Sequence, residues 1–184
     1  MQIIKTYKNF LSKEECDFII NNHKLNLEKA KIGESGVINE SIRKANTNTI
    51  QIQNDIFQKL NNIIDDSISE MQNIVLEKIN QFKFIEYPTG GYYKWHKDSS
   101  PNTEFASRLL SVVIQLNDNY EGGELLYKTP KGEFVFEKGL GNLHIFSSSI
   151  WHSVTEVTSG QRYSIVNWYC IKPNNIDKKT ISLI

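Results

Sequence analysis

At 184 residues, 39% hydrophobic and 23% charged, the chain has the size of one globular domain, long enough to bury roughly 70% of the surface it exposes when unfolded. Its 21 Lys and Arg balance 21 Asp and Glu, so no global field draws it to nucleic acid or to an anionic membrane. The opening Met-Gln-Ile-Ile-Lys-Thr-Tyr-Lys has no apolar signal core, no window nears the ~20 apolar residues of a membrane span, and two distant cysteines, Cys16 and Cys170, fit neither a disulfide framework nor a zinc spacing. A soluble cytoplasmic protein with two free thiols is expected.

In chain order, the first half reads helical. Ser12 followed by Glu15 is a capping-box pattern ahead of Cys16, Ile19 and Ile20. A longer helical stripe follows, in which Ile56, Leu60, Ile63, Ile64, Ile68, Met71, Ile74, Val75 and Ile79 recur at three and four residues. Between them, residues 29–54 are rich in Asn, Ser and Gly and read as a long loop with one strand near Asn48–Gln53. From residue 82 onward the pattern changes. Phe82–Tyr87, Tyr92–His96, Leu109–Leu116, Glu124–Lys128, Glu133–Glu137, Asn142–Phe146, Trp151–Val157 and Arg162–Ile171 are short, β-branched and aromatic, and turn residues such as Pro88-Thr89-Gly90-Gly91 and Gly122-Gly123 separate them. The whole chain, 1–184, is read as one α+β domain, with a helical part at 1–81 and an all-β core at 82–172 that is a sandwich, barrel or jelly roll.

His96-Lys97-Asp98 stands where a strand runs out into a loop. Residues two apart on a strand share a face, so this imidazole and carboxylate can reach one cation together. Two His and one carboxylate on one octahedral face suit non-haem iron. The third ligand has three candidates, His23, His144 and His152. Ten residues after His152 comes Arg162, with Ser164 on the same strand face. A guanidinium facing an apolar interior requires an anionic partner, because an unpaired buried charge is costly.

On these segments the chain resembles the Fe(II)/2-oxoglutarate-dependent dioxygenases, in particular the prolyl 4-hydroxylase-like and PKHD-type hydroxylases. Tyr87 through Asp98 is similar to the family's Tyr-x-x-Gly…His-x-Asp segment. Leu116-Asn117 and Gly122-Gly123-Glu124-Leu125 are similar to its turns, and His152-Ser153-Val154 through Gly160-Gln161-Arg162 to its distal His and co-substrate Arg. The resemblance implies a double-stranded β-helix (jelly-roll) core with N-terminal helices packed on one sheet. It implies His96, Asp98 and His152 as iron ligands, with Arg162, Ser164 and Tyr87 as the pocket for 2-oxoglutarate. Where some prolyl hydroxylases carry a further pocket tyrosine, this chain has Gln115.

Fe(II), 2-oxoglutarate and O2 follow as cofactors, with ascorbate as an accessory. The implied reaction is oxidative decarboxylation to succinate and CO2 coupled to hydroxylation of an unactivated C–H bond, and Asp98 argues against halogenation. The expected substrate is a prolyl residue in a peptide or protein. A free amino acid or other small molecule is the alternative, and a non-catalytic jelly-roll module that binds a metal or ligand is the alternative of another class. The 29–54 loop and residues 99–107 are expected to flank the mouth, with Arg43 on the substrate side. No basic groove interleaved with aromatics points to nucleic acid.

Overall fold

The computed structural model describes residues 2–33, 36–71, 74–101, 103 and 105–172. The elements run β1 (Ile4–Tyr7), α1 (Lys13–His23), β2 (Glu28–Lys29), β3 (Arg43–Lys44), β4 (Asn46–Ile50), α2 (Asn54–Ile68), β5 (Phe82–Tyr87) and β6 (Tyr92–His96). They continue with β7 (Arg108–Gln115), β8 (Glu121–Gly122), β9 (Leu125–Thr129), β10 (Gly132–Val135), β11 (Leu143–Ser147), β12 (His152–Val154), β13 (Val157–Ser159) and β14 (Arg162–Cys170). A seven-stranded sheet has the order β1-β11-β7-β14-β5-β4-β2. A five-stranded sheet has the order β10-β9-β12-β6-β3, and β13 pairs with β8. Non-consecutive strands lie side by side, as a jelly roll requires.

The two faces of the large sheet serve different purposes. On β14 the side chains alternate, with Ile165 and Tyr169 on one face and Arg162, Ser164, Val166 and Trp168 on the other. The first face shares one core with both helices. Cys16 and Ile19 of α1 and Ile56, Leu60 and Ile64 of α2 cluster with Phe82, Phe84, Leu110, Val112, Ile114 and Ile145. Each such aliphatic side chain, fully buried, contributes roughly 1.5–3 kcal/mol. Tyr169 also donates to Asn61 Oδ1 of α2 at 2.8 Å. The second face meets the smaller sheet in a separate cluster of Ile85, Tyr87, Val113, Leu125, Phe146, Val154 and Val166.

α1 starts on the expected capping box: Glu15 N donates to Ser12 Oγ at 3.2 Å, and Ser12 N to Glu15 Oε2 at 2.6 Å. α2 departs from expectation by ending at Ile68, although the apolar spacing runs on to Ile79. There the chain turns to run beside the end of β14, where Leu76 bridges Ile171 and Glu77 N donates to the Cys170 carbonyl. Backbone pairing with the sheet has displaced the helix. The first 81 residues are also less purely helical than expected, because β1 through β4 all join the sheets. Within 29–54 the expected strand lies earlier, at Asn46–Ile50, and two short ones accompany it. Residues 34–35 of that loop and Asn102 and Glu104 of the 99–107 segment lie outside the described residues, as do 173–184 of the domain. Both cysteines are free, and burial pushes the Cys16 thiol up to about 12. Among the described residues no helix is long and apolar enough to cross a membrane.

Candidate metal centre

β6 and β12 are antiparallel neighbours, with His152 directly opposite His96. Between that pair and the next, Val154 opposite Tyr93, β6 carries an extra residue. Such a bulge re-aims side chains. It brings Tyr93 and His96, three apart in sequence, onto the same inner face, where their rings stack at 3.5 Å between centroids. Asp98 lies two residues past His96, just after the strand, and is pinned by its backbone N–H to the Ser148 carbonyl at 3.0 Å. Its Oδ2 accepts from Ser111 Oγ of β7 at 2.7 Å.

These three residues converge. Asp98 Oδ1 is 3.6 Å from His96 Nε2, and Asp98 Oδ2 is 3.4 Å from His152 Nε2. All three potential ligand atoms lie within 4.8 Å of one another, the one group of this kind among the described residues. Both histidines hydrogen-bond through Nδ1 to a backbone carbonyl, His96 to Lys94 at 2.8 Å and His152 to Ile150 at 3.0 Å. A carbonyl only accepts, so each Nδ1 carries the proton and each Nε2 presents its lone pair to the shared centre. That is the outer hydrogen bonding expected of metal-ligating imidazoles.

The electrostatics suit a cation. Burial, with help from His152, pushes His96 down to about 3, so it stays neutral. Burial alone would raise the Asp98 carboxyl, but the two histidines and Ser111 overcome it and hold the group well below the usual carboxylate range. Burial alone would lower His152, but the Asp98 carboxylate facing Nε2 raises it. The same carboxylate would favour a metal cation at that Nε2. The donor set fits iron, with two neutral imidazoles, one hard oxygen donor and no soft sulfur.

The centre opens into a cavity of about 940 Å³. Arg162 lines it, only 2% exposed. Its Nη1 donates to Ser164 Oγ at 3.0 Å, its guanidinium carbon lies 5.3 Å from the centre of the Tyr87 ring, and its buried Nε has no partner among the described residues. The register sets Arg162 opposite Tyr87 on β5, and Ser164 opposite Gln115 on β7. Gly123, at φ +60, lets the Arg162 stem pass: a Cβ there would stand 3.1 Å from Arg162 Cδ and 2.9 Å from Val157 Cγ2. The Gly122-Gly123 turn therefore makes room for the site.

Tyr120 went unnoticed in the sequence. Its buried hydroxyl accepts from Gln115 Nε2 at 2.8 Å and is hydrogen-bonded to Arg162. Tyr120 thus reaches Arg162 from the loop after β7, beside Gln115. A loop residue five positions from its partner leaves no periodic signal. His144 is not brought to the centre. It faces the inner cluster, shares a 3.0 Å hydrogen bond with Thr6, and stands 4.8 Å from the Phe136 ring. His23 ends α1 and lies against Phe84 on the helix side. Arg43 of β3 lies over the Tyr93 ring at 4.7 Å and lines the same cavity.

Comparison with known proteins agrees with this geometry. Residues 82–170 match the family model of the 2OG-Fe(II) oxygenase superfamily. Over that segment, which holds the whole candidate centre, the chain is similar to that superfamily. A PKHD-type hydroxylase of Teredinibacter turnerae is 38% identical over 98 residues, covering 50% of this chain and 43% of the relative. The chain spans about half the length of the curated relatives it matches. Among solved structures, a Pseudomonas putida prolyl-4-hydroxylase superposes with a TM-score of 0.75 at 22% identity, over 92% of each chain. A prolyl hydroxylase from Trichoplax adhaerens, in complex with a peptide fragment of a hypoxia inducible factor, gives 0.74 at 21% identity, over 98% of this chain and 86% of that one. These structures share the fold. The superfamily's cofactors are Fe(II), 2-oxoglutarate and O2.

Proposed function

We propose that the protein hydroxylates an unactivated C–H bond of a prolyl residue in a peptide or protein, with Fe(II) held by His96, Asp98 and His152. The observation that carries this reading is the convergence of three ligand atoms within 4.8 Å, in the same cavity as a buried Arg162 with no carboxylate partner among the described residues. Iron with 2-oxoglutarate and O2 supplies an oxidant strong enough for such a bond, and ascorbate serves as accessory reductant. The protein's own contribution is placement and exclusion of water.

His96 and His152 present neutral Nε2 atoms because their Nδ1 protons are held by backbone carbonyls. Ser111 fixes one carboxylate oxygen of Asp98. Arg162 and Ser164 offer donors to the far carboxylate of 2-oxoglutarate, and Tyr87 lines its path. Arg43 stands on the substrate side. Support for a peptide comes from the open cavity and from the peptide bound to the Trichoplax adhaerens structural neighbour. The test is aerobic incubation with Fe(II), 2-oxoglutarate and a panel of prolyl peptides and free amino acids. Succinate should form, and a prolyl peptide should gain the mass of one oxygen. Gain on a free amino acid alone would assign a small-molecule hydroxylase. Absence of succinate under every condition would leave a metal-binding module.

A further inference from the structure

Four buried side-chain polar atoms have no partner among the described residues: Arg43 Nε, Arg162 Nε, Trp168 Nε1 and Asn48 Oδ1. Asn48 also lines the cavity, but it lies opposite Phe84 and donates to the His23 carbonyl, away from the metal centre, and its orphan atom is the one acceptor of the four. The other three line the cavity too, and all three are donors. With Arg162 assigned to 2-oxoglutarate, Arg43 and Trp168 are left. Buried polar groups require partners, and donors require acceptors.

The charges around the cavity point the same way. Lys29, Lys31, Arg43, Lys83, Lys97 and Arg108 line it, while Glu28 is the one described lining carboxylate besides Asp98. Lys29 is already paired with Glu40 at 2.6 Å. Glu34 and Glu104 neighbour lining residues in sequence. Set Asp98 aside for the metal and Arg162 for 2-oxoglutarate, and six cations still outnumber the four carboxylates Glu28, Glu34, Glu40 and Glu104. The chain as a whole is balanced, so this excess is local.

Two of the cations are guanidinium groups held beside the metal centre. Arg43 lies over the Tyr93 ring, which stacks on His96. Arg108 donates to the Asp98 carbonyl at 3.3 Å and lies 4.0 Å from the centres of the Phe105 and Trp168 rings. Both are within electrostatic reach of the Tyr93 hydroxyl. Aromatic faces fix these guanidinium groups in place, and a preformed fork matches a carboxylate.

We infer that the substrate is an acidic peptide whose carboxylate side chain, next to the hydroxylated residue, is taken by Arg43 and Arg108. This rests on the reading of the site as a 2-oxoglutarate-dependent hydroxylase. The donor excess selects an acceptor-rich ligand. A basic residue in the same place would meet like charge in a partly dehydrated cleft, so the selection also works by exclusion.

The test uses the whole protein loaded with Mn(II) and 2-oxoglutarate without O2, and dye-labelled prolyl peptides that differ only in an Asp, Asn or Lys beside the proline. Fluorescence anisotropy should show the Asp peptide binding about tenfold more tightly than the Asn peptide, with the Lys peptide weaker still. High salt should shrink the ratio. Arg43→Gln and Arg108→Gln should each collapse the Asp-to-Asn ratio toward one, and Arg43→Lys should restore part of it. The peptide series on the unaltered protein decides the question even if a variant folds poorly. Equal affinity for the Asp and Asn peptides, or preference for Lys, overturns the inference. A free amino acid that competes better than every peptide overturns its peptide form. A 2-oxoglutarate titration of the same samples separates the two failures: no co-substrate binding sinks the hydroxylase reading, whereas intact binding without acid preference sinks only this one.

Discussion

Replacing Arg162 with alanine separates a 2-oxoglutarate enzyme from any other protein with two histidines and a carboxylate. Arg162 is buried, donates to Ser164, is hydrogen-bonded to Tyr120, and keeps its Nε without a partner among the described residues. Hydrogen bonds to charged groups are worth roughly 1.5–3 kcal/mol each. A bidentate pair lost in full would cost twice that, but the Ser164 and Tyr120 hydroxyls remain as donors. A net loss of about 3 kcal/mol is expected, or about a hundredfold in the 2-oxoglutarate Kd.

The fold should tolerate the change. Removing a buried cation without a carboxylate partner relieves a desolvation cost, which offsets the packing lost over Gly123 and Val157. Calorimetric titration of 2-oxoglutarate into Mn(II)-loaded protein without O2 measures the affinity directly. Thermal unfolding is an independent check. Co-substrate at a hundredfold its Kd stabilises the native protein by about 2.7 kcal/mol, and the variant should lose nearly all of that gain at the same concentration. Arg162→Lys should recover part of it, because a point charge replaces the fork. An unchanged Kd in the alanine variant would refute the assignment.

His152→Ala should abolish Fe(II) binding and turnover with the fold intact, as shown by metal titration alongside circular dichroism; near-normal activity would remove His152 from the ligand set. Asp98→Gly should keep weak metal binding yet lose hydroxylation, and full product formation would show that the carboxylate is dispensable. Iron affinity should weaken as pH falls, because a proton competes for the raised His152; a pH-independent affinity would contradict the ligand geometry. His144 gives a stability prediction. Burial and the Arg162 charge hold it down to about 4 from an ordinary 6.5, so the unfolded chain binds the extra proton between those values. Its contribution is complete above pH 6.5 and lost as pH falls toward 4, by roughly 3 kcal/mol. Urea unfolding across that range should show a shallower acid loss for His144→Gln than for the native protein.

Much of the site was legible because its signals are local. Strands β5 and β6 have the bounds their composition suggests, and the His96-x-Asp98 spacing translates directly into a shared face. What escaped is long-range. β2 and β3 are two residues each, too short for any period, and exist because β4 and β6 offer them open edges. Met71, Ile74, Val75 and Ile79 continue the stripe of α2, but no glycine or proline marks its end. Pairing of Leu76 with Ile171, ninety-five positions away, decides the matter. Tyr120 reaches Arg162 only because the loop after β7 folds back over Gln115. The bulge in β6 was invisible too, since nothing in Tyr92–His96 differs from a regular strand.

The alternation of β14 couples the core to the chemistry. Ile165 and Tyr169 must face the helices, because that is where Leu60, Ile64 and Phe84 wait to be covered. The period of two then forces Arg162, Ser164, Val166 and Trp168 to the opposite face, over the cavity. A slip of one residue would bury Arg162 and Ser164 among the aliphatics and turn Ile165 toward the metal centre, so hydrophobic burial on one side fixes the register that the site needs on the other. Apolar packing supplies the position of Arg162, while its buried charge and its remaining donors favour an anion in the cavity. For that reason the fold should survive Arg162→Ala while the function should not.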